Sequence, residues 1–446
     1  MTPRLATRKA VAGCGRRASS WLGAFLALAC AGTPAEVSRF TLPELAPGDT
    51  DPALGFEALP VRHAAELLPP DVLAGPHHRV RDAVGSDGFL HLYRLDSDQG
   101  GSEVAGDELL RERVREIEAV AALRAVQDDA FAAAVRQAEE QRPFIGRWKL
   151  ASEPSYVALG MPDAAWQELL ALDDTDRAAR SAEGHAALRE YLRFDSEKRA
   201  LAARLGVDSH TRSPALQREL NRVAIAVFAG GFPLERVAPG ELGEKGVERP
   251  FVDEDARLAM LLGRDSPEDL ARWNRIELAA LGISPELAAQ ALAQPWLTER
   301  HRTILIASLA ALDGVENRAA LVEAALNARS ETDALVYQRI GELLRGIHER
   351  VAPIERLATD GRFVRAYLAG GVRITPVEVD ELFWTRPTAR LVDAGAGPDP
   401  EGVVLTRREL WLTGTASPRT RAELEARGFV LVENAFAHLD ELEAGR

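Results

Sequence analysis

ELFWT at 381–385, ELWLT at 409–413 and FVLVE at 429–433 are three strand-length runs in the last part of the chain. Each is rich in aromatic and aliphatic side chains, which favour a pleated, half-buried surface. A helix is expected near Thr388–Asp393, between the first two. Ser417-Pro418 opens another, Ser as cap and Pro in the first turn, which Gly428 ends. Strand–helix–strand–helix–strand predicts a small parallel sheet with crossover helices, placed at 372–446. On this pattern Trp384 and Trp411 occupy equivalent places, each one residue before the Thr that ends its strand. Both indoles are then expected to be buried, because both faces of a small parallel sheet are covered.

Working outward, residues 160–350 read as helices alone. Leu216, Leu220, Val223, Ala224 and Val227 recur at helical spacing behind Ser213-Pro214. Ser284, Thr298, Asn317 and Ser330 open four more, and Ser330 with Asp333 approximates a capping box. No fixed-period repeat is present. Further upstream, FLHLYRL at 89–95 reads as a strand, SDQGG at 97–101 as a turn and 102–105 as a short return strand. Asp107 then caps a long helix. The fold class expected is therefore mainly α: a helical bundle or irregular helical array over 77–371, with a short β-hairpin near 88–105 and a small C-terminal α/β (βαβαβ) subdomain. Residues 30–76, rich in Pro, Gly and acids, read as an extended arm.

The first 29 residues carry Arg4, Arg8, Lys9, Arg16 and Arg17 and no acid, followed by the short apolar core WLGAFLALACA at 21–31. A basic flank, a short apolar core and small residues form a secretory signal, too short to span a bilayer. Cys14 lies within it. Cys30 follows Ala27-Leu28-Ala29 and is either a lipidated mature N-terminus, as in bacterial lipoproteins, or a residue beside a plain cleavage site. Neither case leaves a disulfide, so stability must come from the core. The 446-residue chain is 46% hydrophobic and 27% charged, with a net charge of −14. Removing 1–29 takes away five positive charges and leaves −19. Such a chain is not a general nucleic-acid binder. It reaches a membrane only through a lipid on Cys30.

Four segments, GPHHRV at 75–80, DGFLHLY at 87–93, LGVD at 205–208 and the helix 298–312, resemble those of a family of uncharacterised exported bacterial proteins. The resemblance implies export and brings no activity, cofactor or partner.

Candidate chemistry is sparse. His77, His78, His91, Asp82, Asp87, Asp96 and Asp98 gather the ligand types of zinc or manganese. His91 and Tyr93 alternate with Leu90 and Leu92 and so share one strand face. No established ligand spacing is present, and no cofactor is expected. Thr385, Thr413, Gly414, Thr415 and Ser417 would lie at the carboxyl edge of a parallel sheet, where open α/β sheets bind ligands. Asp208-Ser209-His210 reads as a turn rather than a triad, and pairs such as Glu139/Glu140 and Asp253/Asp255 as solvated surface. The function expected first is a non-enzymatic exported scaffold that docks other envelope proteins. The alternative is a hydrolase or ligand-binding enzyme using the sheet edge or the His77/His78/His91 group.

Overall fold

The computed structural model describes residues 45–145, 196–237, 267–395 and 404–445, apart from Pro47, Asp82 and Arg362, together with Leu258, Leu261 and Leu262. The chain divides between Glu36 and Val37. The first unit, where the export signal is expected, and Cys30 lie outside the described residues; so do the side chains of Glu139, Glu140, Asp253 and Asp255. All that follows concerns the second unit.

The expected hairpin is present within a larger sheet. Strands β1 (Arg62–His63), β2 (His78–Val80), β3 (Ala83–Ser86), β4 (His91–Ser97) and β5 (Gly100–Ala105) form one antiparallel sheet centred on β4. β4 pairs with β5 from Leu92↔Ala105 to Ser97↔Gly100. On its other side it pairs with β2 and β3. Its alternation is that of a half-buried strand: His91, Tyr93 and Leu95 point inward and Arg94 outward. Tyr93, Leu95, Val80 and Val104 meet Leu109, Leu110, Val114 and Ile117 of the helix Asp107–Ala125. That helix is capped not by Asp107 but across space: the Asp107 N–H donates to the Asp380 carboxylate, at 3.2 Å to Oδ2.

Four of the helices that follow begin where the sequence signals place them, whereas Asn317 does not cap the helix Ala319–Ala325 and donates instead to the Leu357 carbonyl. Ser213, Ser284, Thr298 and Ser330 each accept a hydrogen bond from a backbone N–H three residues on. These open helices Pro214–Gly230, Pro285–Ala293, Glu299–Ala310 and Glu331–Gly346.

The fold class itself is corrected: the protein is mixed α/β, not mainly α. A second five-stranded sheet holds β6 (Ile354–Thr359), β7 (Val364–Leu368), β8 (Val372–Val377), β10 (Arg407–Leu412) and β12 (Phe429–Val432) in the order β12-β10-β8-β7-β6. β8, β10 and β12 are parallel, joined through helices Arg386–Gly395 and Pro418–Ala426. β6 and β7 add an antiparallel hairpin to the same sheet. The expected βαβαβ order thus exists, but its first strand is 372–377 and not 381–385. Only Glu381–Leu382 (β9) is extended there, paired with Thr415–Ala416 (β11) in a separate two-stranded ladder. The β7–β8 turn needs glycine, since Gly370 and Gly371 both have φ 77°.

Both faces of this sheet are covered. Ile354, Leu357, Ala366, Ile374 and Trp411 share one core with helices between 278 and 347. Val377, Leu410, Leu412 and Phe429 share another with Trp384, helix residues Leu391 and Leu424, and Phe89 and Leu90 of the β3–β4 turn. Trp384 and Trp411 are both buried, as expected, but they are not equivalent. Trp411 sits in β10, whereas Trp384 follows β9 under the Arg427 guanidinium, 4.6 Å from its ring centre.

Candidate functional site

The carboxyl end of β8 runs on as Glu378-Val379-Asp380-Glu381. This places three acids where open α/β sheets bind ligands. The N-terminal sheet docks onto this turn through its backbone. Asp380 N and Glu381 N donate to the Phe89 carbonyl, at 2.9 and 3.3 Å. His91 N donates to Asp380 Oδ2 at 2.8 Å. One imidazole from β4 is thereby brought against the acids that follow β8.

His91 Nδ1 lies 2.9 Å from Asp107 Oδ1 and 3.8 Å from Asp380 Oδ2. One ligand atom from each of these three residues falls within 4.8 Å of the others. The Tyr93 hydroxyl donates to Asp107 Oδ1 and stands 3.2 Å from His91 Nδ1. On the far side of the ring, His91 Nε2 is buried without a hydrogen bond, and Glu381 Oε2 is 3.9 Å away. Arg62 of β1 donates to the other Glu381 oxygen at 2.8 Å. Glu378 pairs with Arg339 at 2.8 Å.

These neighbours reset the acidities. Burial pushes the Asp380 carboxyl well above its ordinary value, and the Asp107 charge adds to the push. Burial also acts on Asp107, but there the His91 hydrogen bond and charge win and hold it low. For His91, burial favours the neutral ring. The Asp107 hydrogen bond and the charges of Asp380, Asp107 and Glu381 outweigh it and raise the imidazole. Burial, with Asp107 alongside, drives the Tyr93 phenol far up, so the hydroxyl keeps its proton.

Of the three histidines read from the sequence, the structure keeps one here. His77 makes a surface pair with Asp98 at 2.8 Å. His78 is buried, with both nitrogens engaged by Glu118 Oε1 and the Val72 carbonyl at 2.8 and 3.2 Å. Asp87 accepts the N–H groups of Phe89 and Leu90 and shapes a turn. Asp96 holds Arg81. Asp82 lies outside the described residues.

The sheet-edge residues divide in the same way. Thr413 clamps the backbone of Val379, accepting its N–H at 2.8 Å and donating to its carbonyl at 2.9 Å. Gly414 touches the backbone of Asp380, and Thr415 N donates to the Asp380 carbonyl at 3.1 Å. These three support the acid turn. Thr385 and Ser417 instead cap the two crossover helices. The Ser417 hydroxyl also donates to Glu57 Oε2 at 2.6 Å, so an acid of the arm occupies that helix start.

The sequence reading missed Asp107, Asp380 and Glu381 as site residues. The signal present was VRITPVEVDE at 372–381, an alternating β-branched run ending in acids. Pro376 is tolerated in this central strand because it lies beyond the β7 pairing, which stops at Ile374.

Comparison with protein-family models, curated proteins and solved structures finds no match to this chain.

Proposed function

We propose that the protein binds one divalent transition-metal cation, manganese or zinc, through His91 Nδ1, Asp107 and Asp380. The supporting observation is the Asp380 carboxylate, partly buried beside that of Asp107, with the buried His91 ion-paired to it at 3.8 Å. Two partly buried carboxylates set this close favour a positive charge between them, whether a proton, the imidazolium or a cation. One imidazole with carboxylate oxygens suits these metals. Three protein ligands leave positions for water and a substrate oxygen, the arrangement that supports cation-assisted hydrolysis. This reading departs from the cofactor-free protein that the sequence suggests. It takes up the ligand-binding alternative, with His77 and His78 removed from the site.

Calorimetric titration of the full chain with Mn²⁺ and with Zn²⁺ tests it. One cation per chain is expected, retained in His77→Ala and lost in His91→Ala. A chain that binds neither cation, or a His91→Ala variant that binds as well as the parent, overturns it.

The setting we propose is the bacterial envelope after export, on the strength of the basic flank and apolar core at the N-terminus. Intact-mass analysis from cells should find a mature chain beginning at or near Cys30; a retained Met1 would rule out export. Among the described residues no helix is long and apolar enough to cross a membrane. A docking scaffold would need a broad apolar surface. The exposed large apolar residues described, Leu54, Val61, Ile276, Val404 and Val430, share no helix or strand.

A further inference from the structure

A cation on His91 Nδ1 gives the other ring nitrogen a task. His91 Nε2 is buried without a hydrogen bond. A carboxylate oxygen, Glu381 Oε2, stands 3.9 Å from it, on a side chain only 10% exposed. We propose that Glu381 is a positioning residue of the cation site: it takes the Nε2–H of His91, so that the Nδ1 lone pair faces the cation, and Arg62 holds Glu381 to that role. This rests on the cation reading above.

The geometry leaves each nitrogen one direction. Nδ1 faces Asp107 and Asp380, at 2.9 and 3.8 Å. Nε2 faces Glu381. A ligating imidazole donates its second N–H to a carboxylate, carbonyl or water, which fixes the tautomer and raises the basicity of the ligating nitrogen. Glu381 can do this because its two oxygens are divided between partners. Oε1 accepts from Arg62 Nη2 at 2.8 Å, and Oε2 is turned to the ring. Arg62 is itself fixed by backbone pairing, since β1 joins β3 with Arg62 opposite Val84. The arm thus contributes the outer end of a relay from Arg62 through Glu381 to His91. The backbone of Glu381 is held independently, by its N–H to the Phe89 carbonyl and by the β9–β11 ladder, so its side chain can be changed without moving the turn.

The test uses the full chain with Mn²⁺ and Zn²⁺ as probes. Glu381→Gln should weaken binding on the order of 10–100-fold, with the thermal midpoint of the cation-free protein unchanged. Arg62→Gln should weaken it less. Nitrogen-15 NMR of the wild-type protein with Zn²⁺ should show His91 protonated at Nε2 and zinc-shifted at Nδ1. That spectrum decides the matter even if Glu381→Gln fails to fold. Unchanged affinity in Glu381→Gln, or zinc on Nε2, overturns the role of Glu381 and leaves the cation reading standing. A wild-type chain that binds neither cation overturns both.

Discussion

Gly414 and Asp380 meet backbone to backbone: a Cβ on Gly414 would lie 2.2 Å from the Asp380 carbonyl oxygen and 2.5 Å from that of Val379. The turn after β10 is therefore fitted against the turn that carries the acids, and Thr415 N closes the contact by donating to the Asp380 carbonyl. The obstructing atoms are main chain on both sides, so no rotamer change relieves the overlap. Gly414→Ala should cost about 1–3 kcal/mol of stability, the usual range for overpacking. It should also weaken Mn²⁺ binding, because the shift falls on a ligand's own backbone. Urea unfolding and calorimetry on the one variant check both. Full affinity in a destabilised variant would separate this contact from the site.

Asp380→Asn distinguishes a cation ligand from a structural tie. The carboxylate accepts His91 N and Asp107 N and so links the N-terminal sheet and the long helix to the C-terminal sheet. An asparagine oxygen can accept the same two bonds, and the substitution removes a charge that burial disfavours. Stability without cation should stay within about 1 kcal/mol of the parent, while Mn²⁺ binding is lost. Loss of several kcal/mol without cation would show that the group is held in the fold as an anion.

How far the sequence could be read follows from the range of each signal. Ser213, Ser284, Thr298 and Ser330 were legible because a cap acts over three residues. The β6–β7 hairpin carried a local signal too, Asp360-Gly361 between two alternating runs. It was absorbed into an expected helical stretch that had no helical period there. His91 was legible as a ligand type, and its shared face with Tyr93 followed from strand alternation. Its partners were not. Asp107 is 16 residues from His91, and Asp380 is 289 away. Their meeting depends on the docking of Phe89 against the β8 turn, which no local pattern encodes. Asp107 was assigned the cap that its own backbone N–H in fact takes from Asp380.

His210 supplies a pH dependence of predictable sign. Burial lowers its pKa, opposed by Asp208 and Glu299 and aided by Lys198 and Arg199. Its Nε2 is buried without a hydrogen bond. The folded state thus binds this proton less readily than the unfolded chain, whose histidine titrates near about 6.5. Stability from this group is present above about pH 6.5 and is lost as pH falls toward the lower folded value, at no more than about 1.4 kcal/mol per pH unit. His91, raised in the folded state, contributes with the opposite sign. The wild-type curve therefore does not isolate His210, and the comparison with His210→Gln does. Below about pH 6.5 the wild-type urea midpoint should fall relative to that of His210→Gln. Curves parallel from pH 7 to 5 would refute the assignment.

Trp411 tests whether the sheet and the helices are one folding unit. Its indole is 2% exposed and belongs to the core that spans Leu278 to Leu439. The ring meets His438 edge-on at 5.6 Å, and Nε1 donates to Glu409 Oε2 at 2.7 Å. Glu409 is itself buried, with Arg407 on its other oxygen. Trp411→Ala therefore opens a large cavity, worth about 3–5 kcal/mol, and leaves a buried carboxylate oxygen without its donor, worth about 1–3 kcal/mol. Trp411→Phe keeps most of the volume and loses the donor, so it should fall between the parent and Trp411→Ala. Because this core includes both the helices and β6 to β8, the loss should appear as one shifted transition by fluorescence and by circular dichroism together. An unshifted midpoint in Trp411→Ala would mean that the ring is not held in this core. Two separated transitions would mean that the sheet and the helical region unfold independently, despite the side chains they share.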